Sequence, residues 1–75
     1  MSPYLPSLTA KDLIKIVRKC GFLFIRQKGS HQIYKHADGR WTTIPMHPGE
    51  NIGRGLLRKI LSDLNISPKE FLKLL

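Results

Sequence analysis

The segment FLFIRQKGSHQIYKHADGRWTTIPM, residues 22–46, contains three short runs rich in aromatic and β-branched residues, separated by two turn signals. FLFIRQK (22–28) is apolar at its start and basic at its end. Gly29-Ser30 forms a turn, HQIYKH (31–36) follows, and Asp38-Gly39 is a two-residue hairpin signal leading into RWTTIPM (40–46). Three strands joined by tight turns predict an antiparallel meander. Pro45 has no N–H for a ladder bond, so it belongs at an edge, at a bulge or where its strand ends.

The flanks read as helices. Thr9 is a good N-cap with Asp12 three residues on, and Leu13, Ile16, Val17 and Cys20 share one face while Lys11, Lys15, Arg18 and Lys19 point outward. Gly21 suits the left-handed position that ends such a helix. After the strands, HPGENIGRG (47–55) is a loop, and from about Arg54 the residues Leu56, Leu57, Ile60, Leu61 and Leu64 form a second apolar stripe. Ser67-Pro68-Lys69-Glu70 starts a short third helix, with Ser as cap, Pro at the first position and Glu three residues after the cap. Pro3 and Pro6 make residues 1–8 an extended leader without an assigned role. The expectation is one α+β domain over residues 1–75, ordered α-β-β-β-α with a short extra C-terminal helix. Its helices would lie on one face of a three-stranded antiparallel sheet. Double-stranded-RNA-binding domains share that order, although order alone licenses no function.

The chain has 75 residues, and at this size folding buries only about 60–65% of the surface of the unfolded chain. A large enclosed cofactor pocket or two-domain machinery is therefore not expected, and no cofactor is assigned. Thirteen Lys and Arg against five Asp and Glu leave a formal charge of +8, whose self-repulsion a polyanion would relieve. Nucleic acid is the first expectation for a partner, ahead of an acidic protein or an anionic membrane surface. One cysteine, Cys20, makes no internal disulfide, and one Cys with three scattered His lacks structural-zinc spacing. No apolar run approaches a membrane span, and the N-terminus lacks signal-peptide features, so a cytoplasmic location is expected and no membrane partner.

RQKGSHQIYKH, residues 26–36, is the segment that suits phosphodiester chemistry. A histidine side chain titrates near neutral pH. It can take a proton from a ribose 2′-OH or give one to the leaving 5′-oxygen. Arg26, Lys28 and Lys35, with the amides of Gly29 and Ser30, are candidates to bind phosphate and to neutralise the charge that builds on it. His47 is a secondary acid–base candidate, and the chain offers no carboxylate cluster to hold a metal. A lone His beside a turn is more often a plain surface residue, and the helix cations are by default a solvated face. Trp41 and Tyr34 suit base stacking, yet in so short a chain they more often shield the sheet. Cys20 reads as a small core residue. Strand parity leaves His31 open: if Ile33 faces the helices, ideal alternation turns His31 the same way, unless a bulge at Gly29 or the strand's start frees it.

From Thr9 to Leu75 the chain closely resembles the HicA toxins of bacterial and archaeal toxin–antitoxin pairs. These are small mRNA interferases with a double-stranded-RNA-binding-domain-like fold. The resemblance is carried by the Lys-rich first helix ending Cys20-Gly21-Phe22 and by Arg26-Gln27-Lys28-Gly29-Ser30-His31. It continues through Tyr34, Asp38-Gly39-Arg40, Ile44-Pro45-Met46-His47 and Leu57-Arg58-Lys59-Ile60-Leu61. It implies that His31 is the catalytic histidine, that Gly29 and Ser30 form the turn presenting it, and that the activity is metal-independent cleavage of mRNA. It also implies a HicB-type antitoxin partner that covers the His31 region; the free domain is compatible with a monomer. The rival reading is a non-catalytic basic RNA-binding module of the same fold. A DNA-binding regulator is disfavoured, because the first helix leads into strands and no helix-turn-helix is present.

Overall fold

The computed structural model describes residues 5–75, so the start of the leader, residues 1–4, lies outside the described residues. The elements are α1 (Ala10–Lys19), β1 (Leu23–Lys28), β2 (His31–Lys35), β3 (Trp41–Pro45), α2 (Arg54–Leu64) and α3 (Pro68–Lys73). The strands form an antiparallel sheet in the order β1-β2-β3, as the meander predicts. Pro45 is the last residue of β3, where the missing N–H costs no ladder bond.

Each helix ends as its local sequence dictates. The Thr9 hydroxyl accepts from the Asp12 N–H at the start of α1. At its end Gly21 takes φ +90°, its N–H donates to the Arg18 carbonyl, and the Phe22 N–H donates to the Val17 carbonyl. That pair of bonds closes a Schellman motif, which a Cβ at position 21 would strain. Asn65 ends α2 in the left-handed conformation, and Ser67 with Glu70 forms a complete capping box on α3.

The core lies between the helices and one face of β2 and β3. Leu13, Ile16 and Val17 of α1 meet Tyr34, Ile44, the α2 stripe (Leu57, Ile60, Leu61, Leu64) and Phe71 of α3. Thr42 is fully buried among them, and its hydroxyl donates to the Asp63 carboxylate at 3.0 Å. Leu5 and Leu8 are buried in the same core, and the Ile52 N–H donates to the Leu8 carbonyl, so this part of the leader is structural. β1 is different. All six of its residues are exposed, and its sheet partner is β2.

The β2–β3 connection departs from the two-residue turn suggested by Asp38-Gly39. His36 and Arg40 close a three-residue loop (37–39): the His36 N–H donates to the Arg40 carbonyl and the Gly39 N–H to the His36 carbonyl. With Gly39 at φ +99°, this is the type I turn plus left-handed residue typical of such loops. Arg40 explains the longer loop. Its Nε donates to the Asp38 carboxylate at 2.8 Å, its Nη1 reaches the Leu64 carbonyl at the end of α2, and its guanidinium lies 5.2 Å from the Phe22 ring centre. One side chain thus joins the hairpin tip, the α1–β1 corner and the negative end of the α2 dipole.

Leu5→Ala should destabilise the fold by about 2–4 kcal/mol, the cost of emptying a buried leucine site, as measured by urea denaturation. A second expectation concerns acid. The Arg40 backbone N–H, aided by the guanidinium, holds the Asp38 carboxyl below the usual carboxylate range. Its contribution is therefore complete above the ordinary carboxylate value, about pH 4, and is lost as pH falls through the lowered one. Urea midpoints of wild type and Asp38→Asn should differ at neutral pH, and the gap should close in strong acid.

Candidate active site

A bulge in β1 builds the site. Leu23 pairs with Lys35 and Phe24 with Tyr34, but the next pair is Arg26 with Ile33, leaving Ile25 as the extra residue. Without the bulge, regular pairing would set Ile25 opposite Ile33 and turn Arg26 toward the helices. With it, Arg26 and Lys28 both come to the open face, and Lys28 pairs with His31 across a two-residue turn. Gly29 takes φ +60° at the first turn position, as a type II′ turn requires. The bulge is thus at Ile25, and Gly29 is a turn residue.

The parity question is answered by Tyr34. Tyr34 is buried and paired with the buried Thr42, so Gln32 shares the helix side while His31, Ile33 and Lys35 share the open face. His31 is exposed, flanked by Lys28 on one side and Pro45 on the other. Side chains directly opposite, such as Lys28 and His31, have Cβ atoms about 5 Å apart, and the diagonal Arg26 is about 7–8 Å away. Lys35 is not brought to this end: four residues along β2 place it about 13 Å from His31. The Ser30 carbonyl accepts from the Met46 N–H at 2.6 Å, tying the turn to the end of β3. His47 follows at the same end, exposed beside a hollow of about 330 Å³ lined by Thr9, Ala10, Lys11, Met46, Pro48 and Gly49.

The helix side of the hairpin holds a feature that sequence reading missed. The Tyr34 hydroxyl donates to Gln32 Oε1 at 2.8 Å, Gln32 Nε2 donates to Gln27 Oε1 at 3.0 Å, and Gln27 Nε2 donates to the Gly29 carbonyl at 2.9 Å. This relay runs from the core to the turn that carries His31. Burial pushes the Tyr34 phenol up, which keeps it a neutral donor. The alternation Gln27, Gln32, Tyr34 is visible in the sequence only once the bulge register is known.

The remaining candidates fall into place. His36 packs edge-on against Phe22 at 5.3 Å and accepts from the Asp38 N–H, so it belongs to the hairpin tip. Burial raises the Cys20 thiol, which disfavours the nucleophilic thiolate. Among the described residues no three His, Cys, Asp or Glu side chains gather as metal ligands. Among them also, no helix is long and apolar enough to cross a membrane.

Removing one member of the relay should loosen the turn. In Gln27→Ala or Gln32→Ala, amide hydrogen exchange at Ser30 and His31 should rise several-fold while exchange in α1 and α2 stays unchanged.

Two comparisons bear on identity. No curated protein matches the chain. A family model described as "HicA toxin of bacterial toxin-antitoxin" matches residues 10–66, from the start of α1 through the residue after the α2 cap, leaving out the leader and α3. The chain belongs to the HicA toxin family, and is thus the toxin of a toxin–antitoxin pair.

Proposed function

We propose that this HicA-family toxin is an endoribonuclease that cleaves mRNA with His31 as its single catalytic histidine. The supporting observation is the shared open face at one end of the β1–β2 hairpin: an exposed imidazole, Lys28 directly across, and Arg26 on the diagonal. Lys28, Arg26 and the Gly29 and Ser30 amides hold the phosphate and meet the charge that develops on it. His31 takes the proton from the ribose 2′-OH. The 2′-oxygen then bonds to phosphorus, the bond to the 5′-oxygen breaks, and that oxygen receives a proton from the imidazolium or from water. The products are a 2′,3′-cyclic phosphate and a 5′-hydroxyl. No step is routed through a metal. Ser30 and His47 are secondary: the first shapes the turn, and the second stands at the same end as a further proton carrier. Lys35 binds RNA backbone farther along the sheet, at a distance from the reacting phosphate. The neutralising partner is a HicB-type antitoxin, met in the cytoplasm where mRNA is available.

Cleavage of a labelled RNA in EDTA tests this reading. His31→Ala and His31→Gln should lose about 10²–10⁴-fold in rate, the usual weight of acid–base catalysis, while retaining RNA affinity. Lys28→Glu should lose affinity itself. Undiminished cleavage by a correctly folded His31→Ala chain would leave only a basic RNA-binding module.

A further inference from the structure

The opposite end of the open sheet face is apolar and uncovered. Leu23 is 65% exposed, Ile25 53% and Trp41 61%, unusual values for large apolar side chains on strands. Leu23, Lys35 and Trp41 stand side by side across the three strands, and Ile25 is lifted beside them by the bulge. Ile25, Lys35 and Trp41, with Arg26, Ile33 and Gly39, line an open groove of about 650 Å³, and Leu23 lines the adjoining hollow with Ile25 and Lys35. β1 is an edge strand exposed along its whole length, so its outer backbone groups also face outward. An apolar strand left so bare calls for a cover.

We propose that this patch, Leu23, Ile25 and Trp41 around Lys35, is the anchor for the antitoxin, engaging an acidic protein surface that presents apolar side chains. Charge complementarity identifies the occupant. Arg26, Lys28 and Lys35 stand on the face, and among the described residues its strand positions carry no carboxylate. A chain of formal charge +8 selects a partner of opposite sign. Leu23, Ile25 and Trp41 set about the single cation Lys35, with Arg26 beside them, suit a protein surface that presents apolar side chains around a carboxylate. RNA fits it less well: Trp41 offers a base a stacking face, whereas Leu23 and Ile25 have no π-surface. Geometry then accounts for neutralisation. A standard footprint of about 800 Å² is roughly 30 Å across, so a protein anchored here also covers His31 about 13 Å away. The partner follows from the family assignment; only the cleavage readout below rests on the proposed ribonuclease reading.

The test uses the full chain, the purified antitoxin of the same operon, and a labelled RNA. Trp41→Ala, and separately Leu23→Ser, should weaken antitoxin binding by calorimetry about thirty-fold, the size of an interface hot spot. Lys35→Glu should weaken it as well. RNA cleavage without antitoxin should stay within two-fold of wild type for the Trp41 and Leu23 variants, and circular dichroism should be unchanged. Antitoxin affinity within three-fold of wild type in both apolar variants overturns the proposal. So does a ten-fold loss of RNA cleavage in those variants, which assigns the patch to RNA. Should the wild-type chain fail to cleave RNA, the ribonuclease reading falls, and the calorimetry still decides the anchor.

Discussion

One unpaired residue, Ile25, sets the chemistry of the open sheet face. Side chains alternate strictly along a strand, so a single inserted residue reverses the facing of everything after it. Here the reversal brings Arg26 and Lys28 out beside His31 and turns Gln27 inward to Gln32. Two aligned cations, an exposed imidazole and the hydrogen-bonded relay behind the turn all follow from it. The same insertion shortens the loop to Gly29-Ser30, whose tight geometry holds the first residue of β2 in place.

The helices bury one face of β2 and β3, and they stop short of β1. This uneven cover divides the molecule by task. The strongly packed side holds Thr42 against Asp63 and Arg40 against the end of α2, leaving no buried polar side-chain atom without a partner among the described residues. The thinly packed side keeps its cations and its apolar residues in solvent, where their attraction for an anion or a partner has not been spent on folding. Arg40 shows the contrast. It carries the same guanidinium as Arg26, yet its donors are committed to Asp38 and the Leu64 carbonyl.

Much of this was legible from residues alone. The caps at Thr9 and Ser67, the left-handed glycine at 21 and the apolar stripes of α1 and α2 appear where local sequence rules place them. Other features were not. The Asp38-Gly39 pair reads as a two-residue turn, but Arg40 finds its partners on α2, and the loop takes three residues to let it reach them. The leader reads as an extended segment without an assigned role, because nothing local tells Leu5 and Leu8 that a core lies beside them. The apolar start of residues 22–28 divides: Phe22 is buried, whereas Leu23, Phe24 and Ile25 are exposed because the helices are too few to cover three strands.

Sequence by itself determined the element order, the helix ends, the positive charge and the family pattern around Gly29-Ser30-His31, since each depends on neighbours along the chain. Tertiary structure decided which face His31 occupies, that Lys28 and Arg26 join it while Lys35 does not, and that Arg40 is structural. Those outcomes depend on strand register and on where the helices end. Register is a sum over contacts distant in sequence, in which a one-residue bulge outweighs the alternation written in the strand itself.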